Sequence, residues 1–170
     1  FTACSEDDLS PESVIVADKS TMEENDLDRW LTANFLDPYN IQIKYRYEDN
    51  ESNMSYYEVP ARIEDANILV HILKYCCVEA YDATVGIDFT RSNFPKLFFL
   101  TGEWRYKNNG TYVLGTAEGG KKIFLTGTRY LTPIVEGKRS YGTFTFAYGT
   151  DIVKNLNHYY LKTIHHEFTH

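Results

Sequence analysis

An α+β domain is expected from three features of the chain. Helical periodicity runs over roughly 21–37 and 62–82, apolar and polar residues alternate at 41–47, and short apolar runs punctuated by glycine fill 95–131. The expected order is helix, strand, long helix, several strands and a final helix, with no internal repeat. That order predicts a small twisted mixed sheet packed on a long backing helix and a C-terminal helix, its strands being mostly neighbours in sequence.

Thr21 and Glu24 have the capping-box spacing, and Leu27, Trp30, Leu31 and Phe35 fall on one helical stripe, so a first helix is expected up to Asp37-Pro38, where proline should stop it. In "YNIQIKYRYED", Ile41, Ile43, Tyr45 and Tyr47 alternate with Gln42, Lys44 and Arg46, the pattern of a strand with one buried face. After Pro60, Ile63, Ala66, Val70, Leu73, Cys77 and Ala80 recur every three or four residues; Glu64 and Asp65 suit the dipole of the first turn, and Gly86 can end the helix. "KLFFLTG", "TYVLGTAE" and "KKIFLTG" read as three strands, with Asn109-Gly110 and Gly119-Gly120 as hairpin turns. The segment Ser140 to Gly149 is open to a strand or a loop. Thr150-Asp151 caps a final helix that reaches His170.

Composition narrows the function classes. The chain has 170 residues, 17 basic against 24 acidic side chains and a net charge of -7, without a Lys/Arg cluster, so a nucleic-acid partner is not expected. No run of about 18 apolar residues exists to span a membrane. Cys76 and Cys77 are adjacent on a helix and point about 100° apart, which makes them poor partners for each other or for one metal; buried free thiols are expected. At the N-terminus, "FTACSEDD" resembles the end of a bacterial lipoprotein signal, with Cys4 as the lipidated residue and Ser5-Glu6-Asp7-Asp8 as an export signal toward the outer face of the outer membrane. The alternative is a solvated acidic tail with a chance cysteine. Residues 1–20 are thus read as signal remnant and tether, and 21–170 as the folded domain.

The most specific motif is His166-Glu167-Phe168-Thr169-His170, an H-E-x-x-H. Residues four apart share a helix face, so both imidazoles can reach one Zn2+, with Glu167 beside a zinc-polarised water as general base for hydrolysis of a peptide bond. Val153, Tyr160, Ile164 and Phe168 form the expected core stripe opposite. His165 lies off the ligand face, and His71 and His158 are read as structural. Catalytic zinc keeps three protein ligands, and no upstream residue is persuasive as the third, so it is expected downstream of His170. The chain is accordingly read as a fragment that binds zinc weakly and cleaves nothing by itself.

"PYNIQIKYRYED", the acidic stretch after Cys4 and "YLKTIHHEFTH" together resemble the substrate import-associated zinc metallohydrolase lipoproteins of Bacteroidetes, zinc-binding metallopeptidases whose genes accompany outer-membrane nutrient-import systems. The resemblance covers essentially the whole chain. It implies His166 and His170 as ligands, Glu167 as base, a peptide or protein substrate, a membrane attachment by lipid alone, and the outer-membrane import machinery as partner. It also implies a zincin-like N-terminal subdomain whose C-terminal helix carries the active site and whose edge strand binds substrate by β-augmentation. Thr111 to Ala117, with Gly115 inside it, is the candidate edge; an inner hairpin strand fits that segment equally well. A different class of function, a non-catalytic surface lipoprotein binding glycan or peptide around a structural or vestigial metal site, competes with the enzyme. The base at Glu167 favours the enzyme.

Overall fold

The computed structural model describes residues 24–46, 58–107, 109–118 and 121–169, with Glu118 described in its backbone alone. Cys4, the tether, Thr21, Tyr47, Gly119-Gly120 and His170 lie outside the described residues.

Helix α1 covers 26–39 in three pieces: Asp26–Leu31, a π-helical turn Thr32–Leu36, and Asp37–Tyr39. Its cap is Asn25, not the expected Thr21. Asn25 accepts from the Asp28 amide while Asp28 accepts from the Asn25 amide, a capping box one turn further on. Nor does Pro38 stop the helix. The preceding π-turn, in which the Asp37 amide reaches back to the Thr32 carbonyl, widens the spiral where a proline ring would otherwise crowd the previous turn. Asn40, at φ 54°, ends it instead.

Strand β1, Gln42–Lys44, follows, with Ile41, Ile43 and Tyr45 buried as the alternation requires. Helix α2 covers 63–85 as Ile63–Ile72, a π-segment Leu73–Val78 and Glu79–Val85, and Gly86 at φ 91° terminates it. Ala66, Val70, Leu73 and Cys77 are fully buried, but Ile63 is 52% exposed and Ala80 also faces out, because the apolar stripe rotates away at the two ends. Cys76 is exposed, against expectation, and Cys77 buried. A short helix α3, Ile87–Asn93, leads to β2, Leu97–Leu100.

Beyond β2 come β3 (Arg105–Tyr106), β4 (Tyr112–Val113), β5 (Gly115–Glu118) and β6 (Lys122–Leu125). The main sheet has the order β1-β2-β6-β5. β1, β2 and β6 are parallel, and β5 alone runs antiparallel, pairing Gly115 with Leu125 and Ala117 with Ile123. The sheet is therefore mixed, as expected, but its central pairings join strands distant in sequence. Parallel neighbours need crossovers, and α2 with α3 supplies the one between β1 and β2. Phe98, Leu100, Ile123 and Leu125 enter the main core. On the other face Phe99 and Phe124 are also buried, with the Arg105 guanidinium 4.2 Å and the Lys122 ammonium 4.4 Å from the Phe124 ring centre. Covering both faces explains why these strands read as continuous apolar runs.

"TYVLGTAE" is not one strand. It bends at Leu114, so β4 pairs with β3 in a separate ribbon while β5 joins the main sheet, and Thr111 lies in the turn before β4. Thr126 stabilises the bend: its hydroxyl donates to the Val113 carbonyl at 2.6 Å and its amide to the Leu114 carbonyl at 3.1 Å.

Helix α4, the turn Thr128–Tyr130 running into Leu131–Val135, precedes a small hairpin of β7 (Ser140–Tyr141) and β8 (Phe144–Thr145). Helix α5 covers 152–168 as Ile152–Leu156, a π-segment Asn157–Leu161 and Lys162–Phe168. Among the described residues, no helix is long and apolar enough to cross a membrane.

Candidate functional site

The site depends on how α5 is held. Asp151 caps it, accepting from the Lys154 amide at 3.0 Å, and that bond draws the Asp151 carboxyl below its ordinary range. Buried polar anchors then set the rotation of the helix. Asn155 accepts from the Tyr148 amide and donates to the Gly149 carbonyl, the Tyr159 hydroxyl accepts from the Ala147 amide, and the buried Tyr160 hydroxyl donates to the Gly127 carbonyl at 2.8 Å. Burial raises the Tyr160 phenol well above its usual value, so it stays a donor. Tyr160 and Ile164 occupy the expected core stripe and Phe168 packs against it, but Val153 is 76% exposed. The π-segment between them is the cause: each of its residues advances less than the 100° of an α-helix, so the stripe drawn from Ile164 misses Val153.

The far side of α5 faces a cleft of about 400 Å³. His158, Lys162, Thr163, His166 and Glu167 line it from the helix, and Tyr112, Leu114 and Gly115 from the bend between β4 and β5. Gly115 is where the two walls meet. A Cβ there would lie 2.7 Å from Thr163 Cγ2, 3.0 Å from the Phe124 carbonyl oxygen and 3.6 Å from Glu167 Cγ, so only glycine lets the strand pass this close beneath the helix.

The residues singled out in the sequence divide by position. His166 and Glu167 lie on helical backbone and line the same cleft. His170 and Cys4 lie outside the described residues. Gly115 and Ala117 sit on β5, an edge of the main sheet, while Thr111 is absent from it and accepts no role there; its hydroxyl and amide bond the Asn109 side chain. His165 points away from the cleft into the α2 side, its Nδ1 3.1 Å from the Tyr81 hydroxyl and its Nε2 4.0 Å from the Cys77 sulfur. Burial pushes the Cys77 thiol up to about 12, which keeps it protonated and inert there. Phe168 completes this contact, 4.8 Å from both Tyr81 and Phe94. His71 stacks on Trp30 at 4.1 Å, whereas His158, read as structural, is on the cleft wall. Tyr112, Leu114 and Lys162 were not foreseen in the cleft; for Lys162 the signal was its place one turn before His166 on the same helix face.

His166, an imidazole of the type that ligates zinc, sits beside the Glu167 carboxylate in an accessible cleft. No group of three or more His, Cys, Asp or Glu side chains placed to hold a metal occurs among the described residues, so those residues alone do not make a full ligand set.

Residues 19–170 match a family described as "Putative zinc-binding metallo-peptidase". The chain belongs to this metallo-peptidase family. A similar solved structure is that of a protein from Bacteroides caccae ATCC 43185, itself described as a putative zinc-binding metallo-peptidase: identity is 39%, the TM-score 0.56, and the match covers 84% of this chain and 48% of that one. The metallo-peptidase chain here thus spans about half the length of its Bacteroides relative. No curated protein matches it.

Proposed function

We propose that this metallo-peptidase hydrolyses peptide bonds with zinc held by His166 and His170, and that Glu167 is its general base. The observation that carries the reading is that His166 and Glu167 open onto one cleft whose opposite wall is the edge of a β-sheet at Gly115. Zinc bound there would supply Lewis-acid activation of water and of the scissile carbonyl. The chain's own residues do the rest. Glu167 takes and returns a proton at its carboxylate, and β5 offers backbone partners on its outer side to an extended peptide. Thr163 and Gly115 hold β5 and α5 at contact distance. A further ligand would come from outside the described residues.

The same proposal extends to the setting: a lipoprotein attached through Cys4 to the outer membrane, at the cell surface or its periplasmic face, working beside nutrient-import machinery. The acidic stretch after Cys4 supports it.

Zinc content and peptide cleavage by the intact protein test the reading. Glu167→Gln is expected to keep zinc and lose at least about 100-fold in turnover, the scale of a positioned general base, while His166→Ala loses the metal as well. Undiminished hydrolysis by Glu167→Gln removes Glu167 from the mechanism. Peptide binding with zinc present and no hydrolysis makes the protein a binding lipoprotein instead.

A further inference from the structure

The cleft does not end at His166. A second cavity of about 320 Å³, lined by Tyr148, Lys154, Asn157, His158 and Lys162, shares His158 and Lys162 with the first. The two form one path along α5 from Glu167 toward the helix start, and His158, Lys162 and His166, each four residues apart, mark it. The walls of the second compartment are built into the fold. The loop carrying Tyr148 is pinned by the buried Asn155, and the His158 ring packs edge-on against Tyr148 at 5.5 Å and Tyr159 at 4.7 Å.

Its electrostatic character is opposite to that of the chain. Against a net charge of -7, the described residues line this compartment with two lysines and no carboxylate, and among them Glu167 is the one acid lining either cavity. Lys154 pairs with Asp151 at 3.1 Å, whereas Lys162 makes no ion pair among the described residues. An ammonium at the join of two concave spaces focuses its field on whatever occupies them.

We propose that Lys162, with His158 beside it, is a carboxylate-binding subsite next to the reaction centre, so that the enzyme prefers peptides bearing an acidic side chain or a free C-terminal carboxylate on that side of the scissile bond. This rests on the peptidase reading for its meaning but not for its measurement. Binding of dye-labelled peptides is followed by fluorescence anisotropy on the zinc-loaded intact protein carrying Glu167→Gln, so that substrate persists. Three peptides of one sequence are used: internal Glu with an amidated end, internal Gln with an amidated end, and internal Gln with a free carboxylate. At least one carboxylate peptide should bind about two- to fivefold more tightly than the neutral one, as expected for an ion pair at an exposed lysine, and which one gains identifies the source. Lys162→Gln should erase the preference, Lys162→Glu reverse it, and high salt shrink it. Equal affinities for all three peptides, or a preference that survives Lys162→Gln, overturn the subsite. Cleavage of the same peptides by the protein with Glu167 intact is scored separately: preference without cleavage leaves the subsite and refutes the peptidase, and cleavage without preference does the reverse.

Discussion

Gly115 shows how a single missing carbon can set the width of a cleft. The contacts awaiting a side chain there are Thr163 Cγ2 and the Phe124 carbonyl; the backbone oxygen cannot move without breaking the β5–β6 ladder. Gly115→Ala is expected to destabilise the protein by about 1–3 kcal/mol in urea denaturation, the range for overpacking, and to lower the proposed peptidase activity by shifting Glu167. Thr163→Ser removes the nearer clash, so the double variant should recover part of both losses; no recovery would mean the strain lies with Phe124. None of this was legible in the sequence. Gly115 could be marked as unusual in a strand, but the helix above it is distant along the chain. The helical placement of His166 and Glu167 was legible from the cap and the periodicity of the last segment, and their shared cleft with β5 was not, because tertiary packing decides it.

At the level of elements, α5 combines a cap that could be read directly with a phase that could not. Asp151 was foreseen as its start. The π-segment Asn157–Leu161 was not; Asn155, Tyr159 and Tyr160, which precede it or lie in it, bond to backbone groups of Tyr148, Gly149, Ala147 and Gly127 that only the folded chain brings together. The cap carries a pH dependence. The Asp151 carboxyl is held low by the Lys154 amide, so its stabilising effect is fully present above its unfolded value near 3.8 and is lost as pH falls through the lower folded value. Asparagine keeps the amide bond without the charge. The thermal midpoint of the native protein should therefore exceed that of Asp151→Asn at neutral pH and fall toward it below about pH 3.8, while Asp151→Ala should melt lower than both. The strands misled for a related reason: "TYVLGTAE" has strand composition throughout, and only the pairing of its two halves with different partners reveals the bend at Leu114.

Across the whole molecule, the α+β class and the long helix behind the sheet followed from periodicity, while the parallel core pairing and the β3–β4 ribbon did not. Trp104 ties the parts together. Its ring stacks on Tyr130 at 4.9 Å and meets Tyr112, Tyr159 and Tyr160, joining the ribbon, α4 and α5, and the absence of a side chain at Gly127 makes room for it. Unfolding should therefore be shared between the sheet and α5. Cys77, buried between α2 and α5, reports this: a thiol reagent followed by mass spectrometry should label Cys76 at once and Cys77 only at the rate of global opening. Rapid labelling of Cys77 in native buffer would show that α5 detaches by itself.

The edge that β5 forms among the described residues carries a hazard along with the use proposed for it. A rim of peptide groups that welcomes a foreign chain will also welcome a sister molecule, and crowding at a surface would favour such pairing. Four residues beginning with glycine offer a template too brief to seed a ribbon between copies, yet long enough to steady one passing guest.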